Sequence, residues 1–133
     1  GVLRRIYNER GEINIDFLAD LPLDEARAWL MSFDGVGPKT AAIVLCFAFL
    51  RPAFPVDTHI HRVGQRIGFL PQGISADKAH PIMESIVPAS DHFAFHLNLI
   101  RLGREICQAR RPRCEICPLT DHCDYYQAAQ HRD

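Results

Sequence analysis

The chain has 133 residues, 47% of them hydrophobic and 23% charged, with a formal net charge of −1. This is enough apolar material for one core of ordinary size with a small metal-stapled appendage, and the near-neutral balance gives no chain-wide argument for a polyanionic partner. No signal peptide or long apolar run is visible, and the cysteine usage suits a reducing compartment, so a cytosolic or nucleoid-associated, non-membrane protein is expected.

Helical patterns recur along the chain and strand signals are sparse. Helices are predicted around Val2 to Glu9, Ile15 to Ala19, Asp24 to Ser32, Pro38 to Leu50, Thr58 to Ile67, Ser75 to Ile86 and Asp91 to Arg104, separated by Gly or Pro punctuation. The predicted fold class is therefore all-α. Between the third and fourth helices lies GVGPKTA, Gly35 to Ala41. Gly35 and Gly37 can adopt backbone angles closed to other residues, which lets the stretch turn sharply and aim N–H groups at an anion. Pro38 suits the first helical position, where its missing donor has no intrahelical partner to lose. From Thr40 to Leu50 every residue except Thr40 is apolar, which predicts a helix wrapped by protein on nearly all sides.

A helix over Pro38 to Leu50 advances about 20 Å. The next six residues, Arg51 to Val56, contain Pro52 and Pro55 and favour an extended path that reaches back at most about 21 Å. Asp57 can thus return to the level of Lys39. It is placed as the N-cap of the next helix, whose buried side is predicted as Ile60, Val63, Gly64 and Ile67. An amine and a carboxylate would then stand at the mouths of two consecutive helices. Taken singly, a lysine at a helix start is usually a solvated charge and an aspartate there is usually only a cap; the joint spacing is what points to chemistry.

Farther on, Ser75 with Asp77, ahead of Ala79, Ile82, Met83 and Ile86, marks a helix start. The segment Asp91 to Arg104 shows an apolar stripe of Phe93, Leu97 and Ile100, with Arg104 a turn later. From Arg101 to Arg113 five arginines (Arg101, Arg104, Arg110, Arg111, Arg113) face one acid, Glu105, a basic patch able to grip phosphate without reading bases. Its plainer interpretation is a solvated helix face. Four of the five cysteines, Cys107, Cys114, Cys117 and Cys123, lie within 17 residues at intervals of six, two and five. That puts four thiolates on one loop and suits a single Cys₄ centre; by spacing alone iron–sulfur and zinc stay open. Cys46, in the middle of an apolar helix, is a small buried hydrophobe.

These motifs together resemble the helix-hairpin-helix DNA glycosylases of the endonuclease III type. The resemblance rests on Asp24 to Ser32, Phe33 to Gly37 and Pro38 to Leu50 as helix, hairpin and helix (24–50), on VDTHIHRV at Val56 to Val63, and on the cysteine spacing. It implies a helical domain at 1–103 and, at 104–133, a [4Fe–4S] loop and tail held by Cys107, Cys114, Cys117 and Cys123, with zinc as the alternative. It further implies a monomeric base-excision enzyme, a bifunctional DNA glycosylase and AP lyase on double-stranded DNA bearing a damaged base, an oxidised pyrimidine by family expectation, or an abasic site. Lys39 would be the nucleophile and Asp57 the essential carboxylate. Gly35, Val36, Gly37, Thr40, His59, Arg110, Arg111 and Arg113 would contact DNA, although a lone histidine such as His59 on a first helical turn is more often a structural hydrogen-bonder. Several positions depart from the family: Pro38 stands where a basic residue is usual, Phe33 and Asp34 replace leucine and proline, and His61 replaces an aromatic. The resemblance covers only the C-terminal part of such an enzyme, so a fragment with an incomplete base pocket is expected. Two other classes fit the same residues: a non-catalytic DNA-binding module, and a zinc-stabilised helical interaction domain.

Overall fold

The structure is a computed structural model and describes residues 1–130; the last three residues of the expected cysteine-loop tail lie outside them. Among the described residues all regular structure is helical. Helix α1 (Val2–Arg10) stops at Gly11, whose carbonyl-side turn is left-handed, and the expected helix at Ile15 to Ala19 is a single 3₁₀ turn over Asp16–Ala19. Asn14 Oδ1 accepts from the Asp16 N–H at 2.6 Å, a local side-chain bond that competes with a longer helix. Helix α2 (Leu23–Met31) leads into the turn at residues 32–37, and α3 (Pro38–Ile43) follows.

The α3 segment departs from expectation in two ways. After Ile43 the chain widens into a π turn over Val44–Ala48, and Leu50 takes a left-handed φ of 52° while the Arg51 N–H closes back on the Leu45 carbonyl. This ends the helix before Leu50. Nor is the segment wrapped all round: Ala41, Ala42, Leu45 and Cys46 are buried, but Phe47, Ala48 and Leu50 are exposed. Uniform apolarity fixes no face, and the helix buries only the side that α2 and α5 cover.

Residues 51–57 run extended to α4 (Thr58–Ile67), whose buried residues are Ile60, Val63, Gly64 and Ile67, as the periodicity predicts. Helix α5 (Ala76–Ile86) begins at Ser75, whose hydroxyl accepts from the Lys78 N–H at 3.2 Å. Helix α6 (His92–Glu105) packs along α4, and the short α7 (Asp124–Gln130) closes the other side of α4. The α6 stripe is the clearest correction. Phe93 and Leu97 are exposed, and the buried side is His92, His96, Leu99 and Gly103. Each histidine is buried because it is hydrogen-bonded: His92 Nε2 to the Val87 carbonyl at 2.7 Å, His96 Nδ1 to the Pro55 carbonyl at 2.9 Å. Gly103 faces α4 because a Cβ there would sit 2.9 Å from His59 Cβ.

Two apolar clusters result. Leu18, Ala26, Leu30, Ala41, Ala42, Leu45 and Ala53 form one around α2 and α3. Phe54, Val56, Ile60, Val63, Ile67, Leu70, Ala79, Met83, Val87 and Leu99 form the other around α4, α5 and α6. Neighbouring residues Ala53 and Phe54 belong to different clusters, so the extended segment is the seam. An Arg27–Glu84 fork, with bonds of 2.9 and 3.0 Å, links α2 to α5 across it, and Glu84 also accepts from the Phe54 N–H.

Candidate functional site

Only one of the two hairpin glycines needs to be glycine for its backbone. Gly35 has φ 84°, the left-handed region, whereas Gly37 is extended at φ −101° and ψ −171°, which any residue adopts. Gly37 is the N-cap of α3 and supplies no side-chain cap. The N–H groups of Lys39 and Thr40 in the first turn consequently have no intrahelical acceptor, and they point out of the helix mouth beside the turn. Val36 is half-buried on the α2–α3 cluster, and its N–H closes the turn on the Phe33 carbonyl at 3.2 Å. The turn is braced from behind: Arg5 of α1 lies 4.0 Å from the Phe33 ring centre and donates to Ser32 Oγ at 2.7 Å, and Trp29 meets Phe33 edge-on.

Lys39 and Thr40 are exposed on the first turn of α3. Asp57 is half-buried, and its Oδ1 accepts from the Ile60 N–H at 2.8 Å, which makes it the cap of α4; among the described residues its Oδ2 has no hydrogen-bond partner. Lys39 and Asp57 form no direct ion pair among the described residues. Both lie near enough to the buried His96 for their charges to act on it. Burial pushes the His96 ring below its usual range; its bond to the Pro55 carbonyl and the Asp57 charge oppose this, and Lys39 adds to it.

His59, also on the first turn of α4, does not face the hairpin alone. Its Nδ1 accepts from Arg62 Nη2 at 3.1 Å, since a guanidinium only donates. Arg62 in turn donates to the Gly103 carbonyl at 2.9 Å and to the Cys107 carbonyl at 3.0 Å. One turn on, Arg66 donates to Cys107 Sγ at 3.4 Å, the Gln108 carbonyl at 2.7 Å and the Ala109 carbonyl at 3.0 Å, and lies over the Tyr125 ring. These two arginines carry the join between α4 and the cysteine loop, and the sequence reading missed them. Their spacing of four within an otherwise buried-faced helix is the signal that pointed to them.

Cys107, Cys114, Cys117 and Cys123 line one recess, together with apolar residues such as Ile67, Leu102 and Leu119. The Cys114 thiol is pushed up by burial, and Cys107, Cys117 and Cys123 add to the shift. Four thiolates so close need a cationic group between them to stay ionised. Four cysteine sulfurs on one recess suit an iron–sulfur cluster. Arg110, Arg111 and Arg113 lie on the loop surface, exposed, while Arg101 is engaged by Glu105 at 3.1 Å.

Two helices joined through a tight glycine turn, followed by a four-cysteine loop, define a helix-hairpin-helix protein with a metal-cluster appendage. Residues 107–123 match the iron–sulfur binding domain of endonuclease III, and they carry a [4Fe–4S] cluster. The chain is 35% identical over 124 residues to endonuclease III of Sulfolobus acidocaldarius, covering 92% of this chain and 56% of that protein. It is 30% identical over 146 residues to the DNA glycosylase/AP lyase ROS1 of Arabidopsis thaliana, covering 97% of this chain and 10% of that protein. Among solved structures, a non-covalent endonuclease III–DNA complex superimposes with a TM-score of 0.77 at 31% identity, covering 98% of this chain and 57% of that one. Over nearly its whole length the chain is similar to helix-hairpin-helix DNA glycosylases of the endonuclease III type. It spans about half the length of the endonuclease III relatives it matches.

Proposed function

We propose that the protein carrying this chain is a base-excision DNA glycosylase with AP lyase activity, acting on duplex DNA that bears a damaged base or an abasic site. The observation that carries the reading is the placement of Lys39 at the mouth of α3, behind the glycine turn, and of Asp57 at the N-cap of α4, with the charges of both felt at the same buried histidine. A base inside a duplex shields its C1′, so the nucleotide is extruded first. The N–H groups of Gly35 and Gly37 and the mouth of α3 hold a backbone phosphate, and Arg110, Arg111 and Arg113 add sequence-independent grip.

Lys39 Nζ attacks C1′ with its lone pair as the C1′–base bond breaks; the base leaves with the bonding electrons and takes up a proton. Asp57 Oδ2 stabilises the positive charge growing on the sugar and accepts a proton from the amine. Opening of the sugar ring gives an imine, which acidifies a C2′ proton; loss of that proton expels the 3′ phosphate. A hydroxyl in place of Lys39 would stop at base removal. The [4Fe–4S] cluster, when bound to the four cysteines, staples the loop, and the elimination consumes no electrons. Oxidised pyrimidine is the proposed substrate class, and cytosolic, monomeric action at the nucleoid completes the reading.

Borohydride reduction with abasic duplex tests it on the whole protein. The unmodified protein should give a covalent complex and Lys39→Ala none; equal trapping by Lys39→Ala would remove Lys39 as nucleophile. A panel of duplexes carrying thymine glycol, a uracil mismatch or 8-oxoguanine should show preferential release from thymine glycol, and release from another lesion instead would reassign the substrate.

A further inference from the structure

The segment 51–57 leads to Asp57, yet among the described residues it has no strand to pair with, and it lacks N–H groups at Pro52 and Pro55. Ala53, Phe54, Pro55 and Val56 are all buried, so their backbone polar groups need partners from elsewhere. The Ala53 N–H bonds the Arg51 carbonyl at 2.7 Å, and side chains supply the next partners. Besides Glu84 on the Phe54 N–H, two histidines hold one peptide group from both sides. His80 Nε2 of α5 accepts from the Val56 N–H at 3.0 Å, and His96 Nδ1 of α6 donates to the Pro55 carbonyl at 2.9 Å. That N–H and that carbonyl belong to the same peptide bond, two residues before Asp57.

The pattern fixes the chemical form of both rings. His80 Nδ1 faces the Ala76 carbonyl at 2.9 Å and must carry the proton there, which leaves Nε2 with a lone pair for Val56. His96 likewise carries its proton on Nδ1. Both rings are almost wholly buried, and His96 is wedged edge-on against Phe47 and Phe54. The charged groups acting on them are Glu84 and Asp77 at His80, and Asp57 and Lys39 at His96. Leucine at either place would leave a buried backbone group unpaired.

We propose that His80 and His96 are positioning residues for the reaction: by gripping the two sides of the Pro55–Val56 peptide they fix Asp57 against Lys39. The proposal rests on the function proposed above for that pair. A clamp set so close to the carboxylate translates a small slip of one peptide into a displaced acid, and displacements of about 1 Å cost up to about a hundredfold in rate.

The test uses the whole protein with its cluster loaded. Ring-nitrogen NMR of the unmodified protein should show, for both histidines, a protonated Nδ1 and a bare Nε2 near neutral pH; the opposite tautomer at either ring overturns the clamp without any variant. Val56 amide exchange should quicken about a hundredfold in His80→Leu and return in His80→Gln, which keeps an acceptor at the same reach; unchanged exchange in His80→Leu overturns it as well. In single-turnover imine trapping on abasic duplex, His96→Phe should react about tenfold more slowly at full trapped fraction and unchanged duplex affinity, with recovery in His96→Asn. In an Asp57→Asn background the same change should add no further slowing. Equal slowing in both backgrounds, or a reduced trapped fraction at normal rate, would make the histidines mere core residues. An unmodified protein that traps nothing overturns the proposed reaction itself, and the tautomer and exchange results then judge the clamp alone.

Discussion

The proposed reaction gives Asp57 two jobs for two oxygens. Its Oδ1 caps α4, and its Oδ2 is the oxygen assigned to the proposed chemistry. The jobs separate by mutation, because asparagine caps a helix as well as aspartate does but carries no charge. Asp57→Asn should melt within a degree or two of the unmodified protein yet form the imine slower by on the order of a hundredfold. Asp57→Ala should lose the rate and, in addition, about 1 kcal/mol of stability for the missing cap. Thermal melting beside borohydride trapping resolves the two effects, and an Asp57→Asn protein that reacts normally would confine the residue to capping. The buried histidines add a pH dependence at the same scale. His80 and His96 are both held below the usual imidazole value of 6.5, chiefly by burial. The unfolded chain therefore binds protons that the folded one refuses, so stability is complete above about pH 6.5 and falls as pH drops below it toward the depressed folded values. Urea midpoints should be flat on the alkaline side and decline as pH falls below about 6.5; His80→Gln should flatten that decline.

At the scale of elements, the close approach of α4 and α6 depends on Gly103. By helix propensity alone, Gly103→Ala would stabilise α6 by about 1 kcal/mol. The added Cβ, however, meets His59 Cβ at 2.9 Å and Arg62 Nη2 at 3.1 Å, and His59 Cβ is anchored to the backbone of α4. The helices must part, so a net loss of about 1–3 kcal/mol is expected in urea unfolding. A gain would show that α4 and α6 slide apart freely. The same pair of helices shows how far periodicity reaches. In α4 the apolar face is unambiguous, and Ile60, Val63, Gly64 and Ile67 are buried as predicted. In α6 apolar residues occupy more than one face, and the stripe through Phe93 and Leu97 is outcompeted by the one through His92, His96 and Leu99, because the histidines find carbonyls to bond.

At the scale of the whole molecule, α4 spans from the proposed reaction centre to the cluster: Asp57 begins it, and Arg62 and Arg66 hold the cysteine loop. Residues 107–123 contain only 3₁₀ turns, at Cys114–Ile116 and Thr120–His122, so little backbone bonding keeps them in place without the metal. Stripping the cluster oxidatively should open trypsin cleavage after Arg110 and Arg113. The helix signal of α2 to α6 should persist, since both apolar clusters centre on residues before Cys107. Circular dichroism and timed proteolysis check this together, and a full loss of helix on cluster removal would make the loop part of the global fold.

The sequence by itself determined the helical class, the glycine turn at residues 35–37, the cap at Asp57 and the cysteine spacing. Each is a local property: a period, a φ preference, a side chain bonding its own next turn, a count of residues between thiols. Tertiary structure alone decided which side of α3 and α6 is buried, because an apolar helix or one with two candidate stripes has no preferred face until neighbours arrive. It also decided what holds residues 51–57. Chain length allows Asp57 to return to Lys39, but an extended segment with two prolines has no bonding pattern of its own. Its position is set by His80, Glu84 and His96 on α5 and α6, residues 24 to 41 positions farther along the chain.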